Sequence, residues 1–533
     1  MSTRLNIRRH VAHIFEETVA RFPDREALVF PGTRMTFRQW DDRANALATK
    51  LEELGIEKGD RVSLLLPPGP DYPIAFMAAA KLGAITVPTN VLFQPREMVS
   101  QLQDAAPKAL IVMSEFMGRD FAAIVDQVRP DLPELKHVIA RGLEREGFLL
   151  LDPIYETPVP QRDSFVRPGL TDEDNIAILF SGGTTGLPKG VPRDTYSLLY
   201  TYFETHDWVT ENHTMLLVPP LFSTGGFLQM IFPILFGSKM VGMAAFNPKT
   251  ILQTIQEEKC TSMFIYPTMM RWIMAQPDFD EYDVSSIGNI DIGGEAMSTE
   301  LIETIQEKFG CFTQTGYGMT ETTGTAVTPI DAPPEMVSGS DGRILTDYEV
   351  RFVDSEGNKV PAGEVGEIHV RGRPVFKGYW NRPELNAKVF TPDRFFRTGD
   401  LARRINDEGY IRIVGRAKDT IRRAAMTIHP DEVENVIKAH PKVAQVGVIG
   451  VPSALSDEPS ALADERVWAY VQLHPDQEMT AVEVRDHCRA NLAAFKQPDE
   501  VRFLTEVPVS SIRKVQRVRL REEARRELES GAG

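Results

Sequence analysis

The sequence predicts an α/β protein: a large N-terminal domain of layered, largely parallel sheets, a small antiparallel β subdomain, and an α+β C-terminal domain. Three observations predict it. Short apolar runs alternate with amphipathic stretches from Val11 to Ile265. Beyond about Gly339, the segments YEVRFVD (Tyr348–Asp354) and GEIHVRG (Gly366–Gly372) alternate strictly and are joined by turn residues. Past Arg416 the order is helix, strand, strand, helix. The expected domains are therefore 1–415, with a β-rich part at about 339–415, and 416–533.

The elements follow in order. Val11, Ile14, Phe15, Val19 and Phe22 recur at helical spacing up to Pro23, and Phe37–Leu54 repeats the pattern. Arg61–Leu66 reads as a buried strand, Pro73–Lys81 as a helix and Ala84–Pro88 as the next strand. Apolar strands are expected at Ala109–Met113, Lys136–Ala140, Asn175–Phe180, Thr214–Val218, Lys239–Met243 and Thr261–Ile265. The C-terminal unit reads as helix Asp431–His440, strands Val443–Val451 and Arg466–Leu473, and helix Val482–Leu492. Pro452–Glu465, polar and rich in small residues, reads as a mobile loop.

Composition narrows the function. A chain of 533 residues exceeds one simple core. At 42% hydrophobic and 25% charged residues, it has ample material for several cores. The formal net charge of −16 argues against nucleic acid or an anionic membrane as the main partner. Cys260, Cys311 and Cys488 lack CxxC spacing, which points to a reducing compartment. Arg4, Arg8 and Arg9 are followed by Glu16 and Glu17 rather than an apolar run, and Phe227–Phe236 is too short to span a bilayer. These features predict a soluble, cytoplasmic protein. Hydrolase and zinc readings fail: GxSxG is absent, and His10 and His13 have no Glu between them.

The chemistry is concentrated in SGGTTGLPKG, Ser181 to Gly190, directly after an apolar strand. Its glycines free backbone N–H groups to face an anion, its hydroxyls add donors, and Lys189 supplies a cation, which suits phosphate. It is not a Walker A loop, because Lys189 stands between Pro188 and Gly190 rather than before Ser or Thr. GYGMTE (Gly316–Glu321) offers an aromatic face, a hydroxyl and a carboxylate within a short span. RTGD (Arg397–Asp400), GRAKD (Gly415–Asp419) and PVSSIRK (Pro508–Lys514) follow in order.

Together these motifs resemble the adenylate-forming (AMP-binding) superfamily over nearly the whole chain, about Ile14 to Arg521. Within it they are similar to acyl-CoA synthetases and aryl-acid adenylating ligases. The resemblance implies an ATP- and Mg²⁺-dependent enzyme that converts a carboxylic acid to its acyl adenylate, with CoA as the second substrate. It implies nucleotide contacts from Ser181, Gly182, Gly183, Thr184, Thr185, Gly186 and Lys189, and from Gly294, Glu295 and Ala296 of the GGEA loop. It further implies contacts from Tyr317 and Gly318, with Tyr317 against the adenine. Asp400 would take the ribose hydroxyls, Arg416 the ribose and phosphate, Thr320 a phosphate, and Glu321 the Mg²⁺. Lys514 would reach in from the C-terminal domain to offset the repulsion between carboxylate and ATP, and that domain would rotate about Lys418.

By the same resemblance PPLFSTGG (Pro219–Gly226) matches the family's acid-pocket segment, with Ser223 where His is frequent. Phe222, Ser223, Gly225, Gly226, Gly316 and Met319 would line or border the acid. That lining is apolar and predicts a hydrophobic aliphatic or aromatic monocarboxylate. The pantetheine path departs from the pattern: Ala424 and Ala425 replace a Gly pair, Arg513 replaces the Gly before Lys514, and Asp464 replaces another Gly. Each added Cβ restricts the backbone. The alternative acceptor is therefore a separate carrier protein or another nucleophile instead of CoA; a third reading is a nucleotide-binding relic. The sequence leaves the acid, the acceptor and any oligomer open.

Overall fold

A computed structural model of the chain describes residues 6–142, 144–181, 188–294, 297, 299–423, 426–452, 465–492, 494–510 and 514–529. Among them, two large sheets, of seven and nine strands, form the N-terminal body. The seven-stranded sheet is parallel through Ile85–Pro88, Arg61–Leu65, Ala109–Met113 and His137–Arg141. Its residues are buried on both faces, which is why these strands read as unbroken apolar runs. Every residue of the helix Asp71–Leu82 is buried, and the helix stops at Gly83 with φ +71°.

The expected elements fall within about two residues of the observed ones, for example helices Val11–Arg21, Phe37–Glu53 and Pro430–Lys438. Thr36 closes the second of these with a capping box: its side chain accepts from Gln39 N while Gln39 reaches back. The sheets depart from purely parallel order at their edges. Lys189–Asp194 runs antiparallel to Asn175–Ser181, with Ser181 opposite Lys189. In the nine-stranded sheet Phe312–Met319 pairs parallel with Asn289–Gly293 and antiparallel with Thr323–Val327. A reversal needs only a short turn, whereas a parallel return needs a crossover. The phosphate-type segment therefore connects strand to strand, not strand to helix.

The β-rich part is a four-stranded antiparallel sheet: Tyr348–Val353, Val365–Gly372, Phe396–Arg404 and Ile411–Arg416. Its last pairing sets Asp400 opposite Arg416. The C-terminal unit has its own core of Ile421, Val433, Val448, Val467 and Cys488. It contains a third strand, Glu500–Phe503, parallel to Glu465–Leu473, which its short length hid in the sequence. Trp468, Tyr470, Leu520 and Ala524 pack the last helix, Arg517–Glu529, onto the other face. The predicted mobile loop falls mostly outside the described residues. Cys260, Cys311 and Cys488 are free and buried. No helix among the described residues is long and apolar enough to cross a membrane.

Candidate active site

The strand Phe312–Met319 carries most of GYGMTE to the edge of the parallel part of the sheet, and the site is built around its end. Tyr317 is buried, and its hydroxyl donates to Asp400 Oδ2 at 2.8 Å. Arg416 Nε donates to Asp400 Oδ1 at 3.0 Å. One buried carboxylate thus joins three of the predicted nucleotide residues, drawn from two sheets. Burial, and then the Asp400 charge, raise the Tyr317 phenol well above its usual range, so it keeps its proton and donates it to Asp400. A bidentate acceptor already holding two donors keeps lone pairs for vicinal hydroxyls.

Glu321 is 4% exposed and lies just past the strand. One carboxylate oxygen accepts from the Tyr379 hydroxyl at 2.8 Å, and the carboxylate also takes a hydrogen bond from its own backbone N–H. Burial raises the Glu321 carboxyl above its ordinary value; the Tyr379 bond and the charges of Lys189 and Arg416 oppose that rise. Lys189 Nζ stands 5.2 Å from the centroid of the Tyr379 ring. The cation of the phosphate-type segment and the predicted metal carboxylate therefore face one tyrosine. A buried carboxylate that takes one side-chain hydrogen bond keeps acceptor capacity and fits Mg²⁺, which takes few protein ligands and completes its shell with phosphate oxygens and water. No cluster of three His, Cys, Asp or Glu suited to a metal occurs among the described residues.

Two positioning residues escaped the sequence reading. One is Tyr379 itself. The other is Arg193, fully buried at the end of Lys189–Asp194. Its guanidinium donates to Glu321 O at 2.8 Å, Ser197 O at 2.8 Å and Pro374 O at 2.9 Å. It thereby ties three chain segments behind the Glu321 turn. The only sequence signal was a lone Arg flanked by the apolar Val191 and Pro192 before the cap Asp194, and nothing local shows that its partners are distant carbonyls.

Tyr379→Phe is expected to lower acid-dependent ATP–pyrophosphate exchange about tenfold, the scale of one hydrogen bond to a charged group. Without that donor the Glu321 carboxyl titrates at higher pH, so the acidic limb of the rate profile should move upward. A profile unchanged in position would show that Tyr379 does not tune Glu321.

The acid-pocket segment is held as follows. Ser223 caps the helix Thr224–Phe236: its Oγ accepts from Gly226 N at 3.2 Å and donates to Pro220 O at 2.7 Å. It also accepts from the Tyr266 hydroxyl at 3.3 Å. Ser223 is thus engaged in an N-cap, a position that favours its short hydroxyl side chain. A Cβ at Gly225 would lie 2.6 Å from Phe264 Cε1 and 3.0 Å from Tyr266 Oη, so only glycine admits that approach. Thr224 and Thr320 share a hydroxyl–hydroxyl bond of 2.8 Å, joining the acid segment to GYGMTE. Phe222, Met319 and Gly316 are part-exposed nearby in the chain, and Gly294 adopts φ +82° against Tyr266. Gly318 sits with its Cα against the Thr323 carbonyl, where a Cβ would lie 1.9 Å from that oxygen.

Lys514 is exposed on the C-terminal unit; its backbone N donates to Ser510 Oγ at 3.2 Å, and Val509 and Val515 bridge on either side. Lys418 is exposed in the short turn Ala417–Asp419 that follows Arg416. Asp419 beside it accepts from Arg517 at 3.3 Å and Arg521 at 3.1 Å, and Arg517 also pairs with Glu434 and Asp431. The helix after Lys514 is therefore stapled to the turn that holds Lys418. Gly182, Gly183, Thr184, Thr185, Gly186, Glu295, Ala296, Asp464, Arg513, Ala424 and Ala425 lie outside the described residues.

A profile of the AMP-binding enzyme family matches residues 15–380, and one of the AMP-binding enzyme C-terminal domain matches residues 432–514. The chain is 31% identical to the mitochondrial medium-chain acyl-CoA ligase ACSF2 of Macaca fascicularis, covering 97% of this chain and 87% of that one. It is 33% identical to triostin synthetase I of Streptomyces triostinicus, with 96% and 94% covered. Among solved structures, the anthranilate CoA ligase AuaEII with anthranoyl-AMP superposes with a TM-score of 0.87 at 28% identity, over 98% of each chain. The paired carboxylates, the two-unit architecture and these matches agree: the chain belongs to the AMP-binding enzyme family, as an acid-activating ligase.

Proposed function

We propose that this chain condenses a hydrophobic aliphatic or aromatic monocarboxylic acid with ATP to give an acyl adenylate and pyrophosphate, then transfers the acyl group to the thiol of CoA. The observation that carries the reading is the double carboxylate arrangement: Asp400 between Tyr317 and Arg416, and Glu321 between Tyr379 and the Lys189 side. Asp400 offers acceptors to a ribose. Glu321 offers its carboxylate to Mg²⁺, which, when bound, would neutralise the phosphate oxygens. Lys189 and the backbone of 182–186 hold the phosphates, the Gly294–Ala296 loop and Tyr317 border the base, and Thr320 contacts the α-phosphate region. Lys514 offsets charge as the carboxylate attacks phosphorus and pyrophosphate leaves. Residues 1–415 and 416–533 act as two bodies, and rotation at Lys418 exchanges Lys514 for the Ala424–Ala425 face.

A carrier-protein thiol is the second reading, and the replacement of Gly by Ala at 424 and 425 and by Arg at 513 favours it. Products formed from enzyme, Mg–ATP, CoA and a panel of acids separate the two by mass spectrometry. An acyl-CoA is the expected product. Acyl-AMP accumulating over untouched CoA would move the acceptor to a carrier protein, and no adenylate with any acid would overturn the assignment.

A further inference from the structure

The strand Asn289–Gly293 (NIDIG) places Asn289, Asp291 and Gly293 on one face. In the parallel register Asp291 stands between Phe264 and Gln314, and Gly293 stands beside Gly316. Paired residues of a parallel sheet point the same way, and the Phe264 ring reaches Gly225 at the start of the helix Thr224–Phe236. Asp291 therefore lies on the sheet face turned to that helix, beside Phe264.

That position is polar, contrary to the apolar lining expected above. Asp291 Oδ1 accepts from Asn289 Nδ2 at 2.9 Å, and Oδ2 lies 3.0 Å from His206 Nε2. His206 is fixed by Thr205 Oγ1 at 2.7 Å and by ring contacts with Tyr202 and Phe232. Asn289 Oδ1 and Gln314 Oε1 are buried with no hydrogen-bond partner among the described residues. Their amide nitrogens are committed, to Asp291 at 2.9 Å and to Thr328 O at 2.9 Å, which fixes both oxygens as acceptors. A carboxylate and two unpaired amide oxygens thus share one buried sheet face. A hydrocarbon end placed there leaves the two amide oxygens unpaired at a free-energy cost, and an N–H or O–H group removes that cost.

We infer that Asp291, with Asn289 and Gln314, forms a hydrogen-bond-accepting floor to the acid pocket, and that the activated acid bears a hydroxyl or amino donor remote from its carboxyl. The inference rests on the ligase reading and on the acid lying against Phe222, Gly225 and Met319. The apolar walls take the body of the acid. A second carboxylate is excluded from the floor by like charge.

The test is acid-dependent ATP–pyrophosphate exchange with the full chain on matched pairs: benzoate against 3- and 4-hydroxybenzoate and the two aminobenzoates, and hexanoate against 6-hydroxyhexanoate. For the best donor-bearing acid, kcat/KM should exceed that of its unsubstituted parent by at least about tenfold, because a site built to bind a donor strongly rejects its absence. In Asp291→Ala that advantage should fall to about twofold or less. The hydroxy and amino arms identify which donor the floor takes. Wild-type preference for the parent acids, or a donor preference undiminished in Asp291→Ala, would overturn the inference alone. Should Asp291→Ala fold poorly, Asp291→Asn and the wild-type comparison still decide. Absence of exchange with every acid would overturn the ligase reading itself.

Discussion

Lys514→Ala is expected to reduce acyl-adenylate formation by roughly 10²-fold or more, the scale seen when a positioned donor to developing negative charge is removed. The loss should be confined to the first half-reaction. Lys514 is exposed, and its backbone is tied by hydrogen bonds with Ser510 and lies beside the Val509–Val515 bridge. The following helix is anchored separately through Arg517 to Asp419 and Glu434. Under the proposed rotation at Lys418, which would withdraw Lys514 from the centre, thioester formation from synthetic acyl-AMP and CoA should stay near the wild-type rate. Near-normal ATP–pyrophosphate exchange in the variant would remove Lys514 from the mechanism. Equal loss in both half-reactions would show a general disturbance of the C-terminal unit.

Glu321→Gln is expected to have an effect of the same order, about 10²-fold in exchange rate, because a carboxamide neither neutralises nor binds a hard cation as a carboxylate does. The two variants should differ in their response to metal. Raising Mg²⁺ should recover part of the activity of Glu321→Gln and none of that of Lys514→Ala. The fold tolerates the change: Gln keeps a carbonyl oxygen for the Tyr379 hydroxyl, and the Arg193 and Phe376 bonds go to the Glu321 backbone carbonyl. A variant with normal exchange at low Mg²⁺ would show that Glu321 is not the metal ligand.

The legibility of the site tracks the range of its interactions. Glycine-rich and short polar motifs announce themselves because their chemistry lies within a few residues, as in GYGMTE. Tyr379 and Arg193 were not legible because each acts on Glu321 across the fold, separated from it by 58 and 128 positions respectively. Asp291 was hidden for a different reason. It interrupts an apolar strand, and one-dimensional patterning does not tell whether such a residue is satisfied by a neighbour or turned into a pocket. The sequence places Ser223 at the border of the acid pocket; that its hydroxyl also caps a helix is fixed by three-dimensional proximity to Gly226 and Pro220.

The sequence by itself determined the elements and the order of the catalytic motifs. Both follow from local physics: apolar periodicity selects helix or strand, and glycine, hydroxyl and charge spacing selects phosphate chemistry. The antiparallel edges, the joining of Asp400 to Tyr317 and Arg416, the Glu321–Tyr379 contact and the polar floor at Asp291 were decided only by tertiary structure. They depend on which strands become neighbours. That choice is made by burying whole faces of sheets and helices together, a collective quantity that no short stretch of sequence carries.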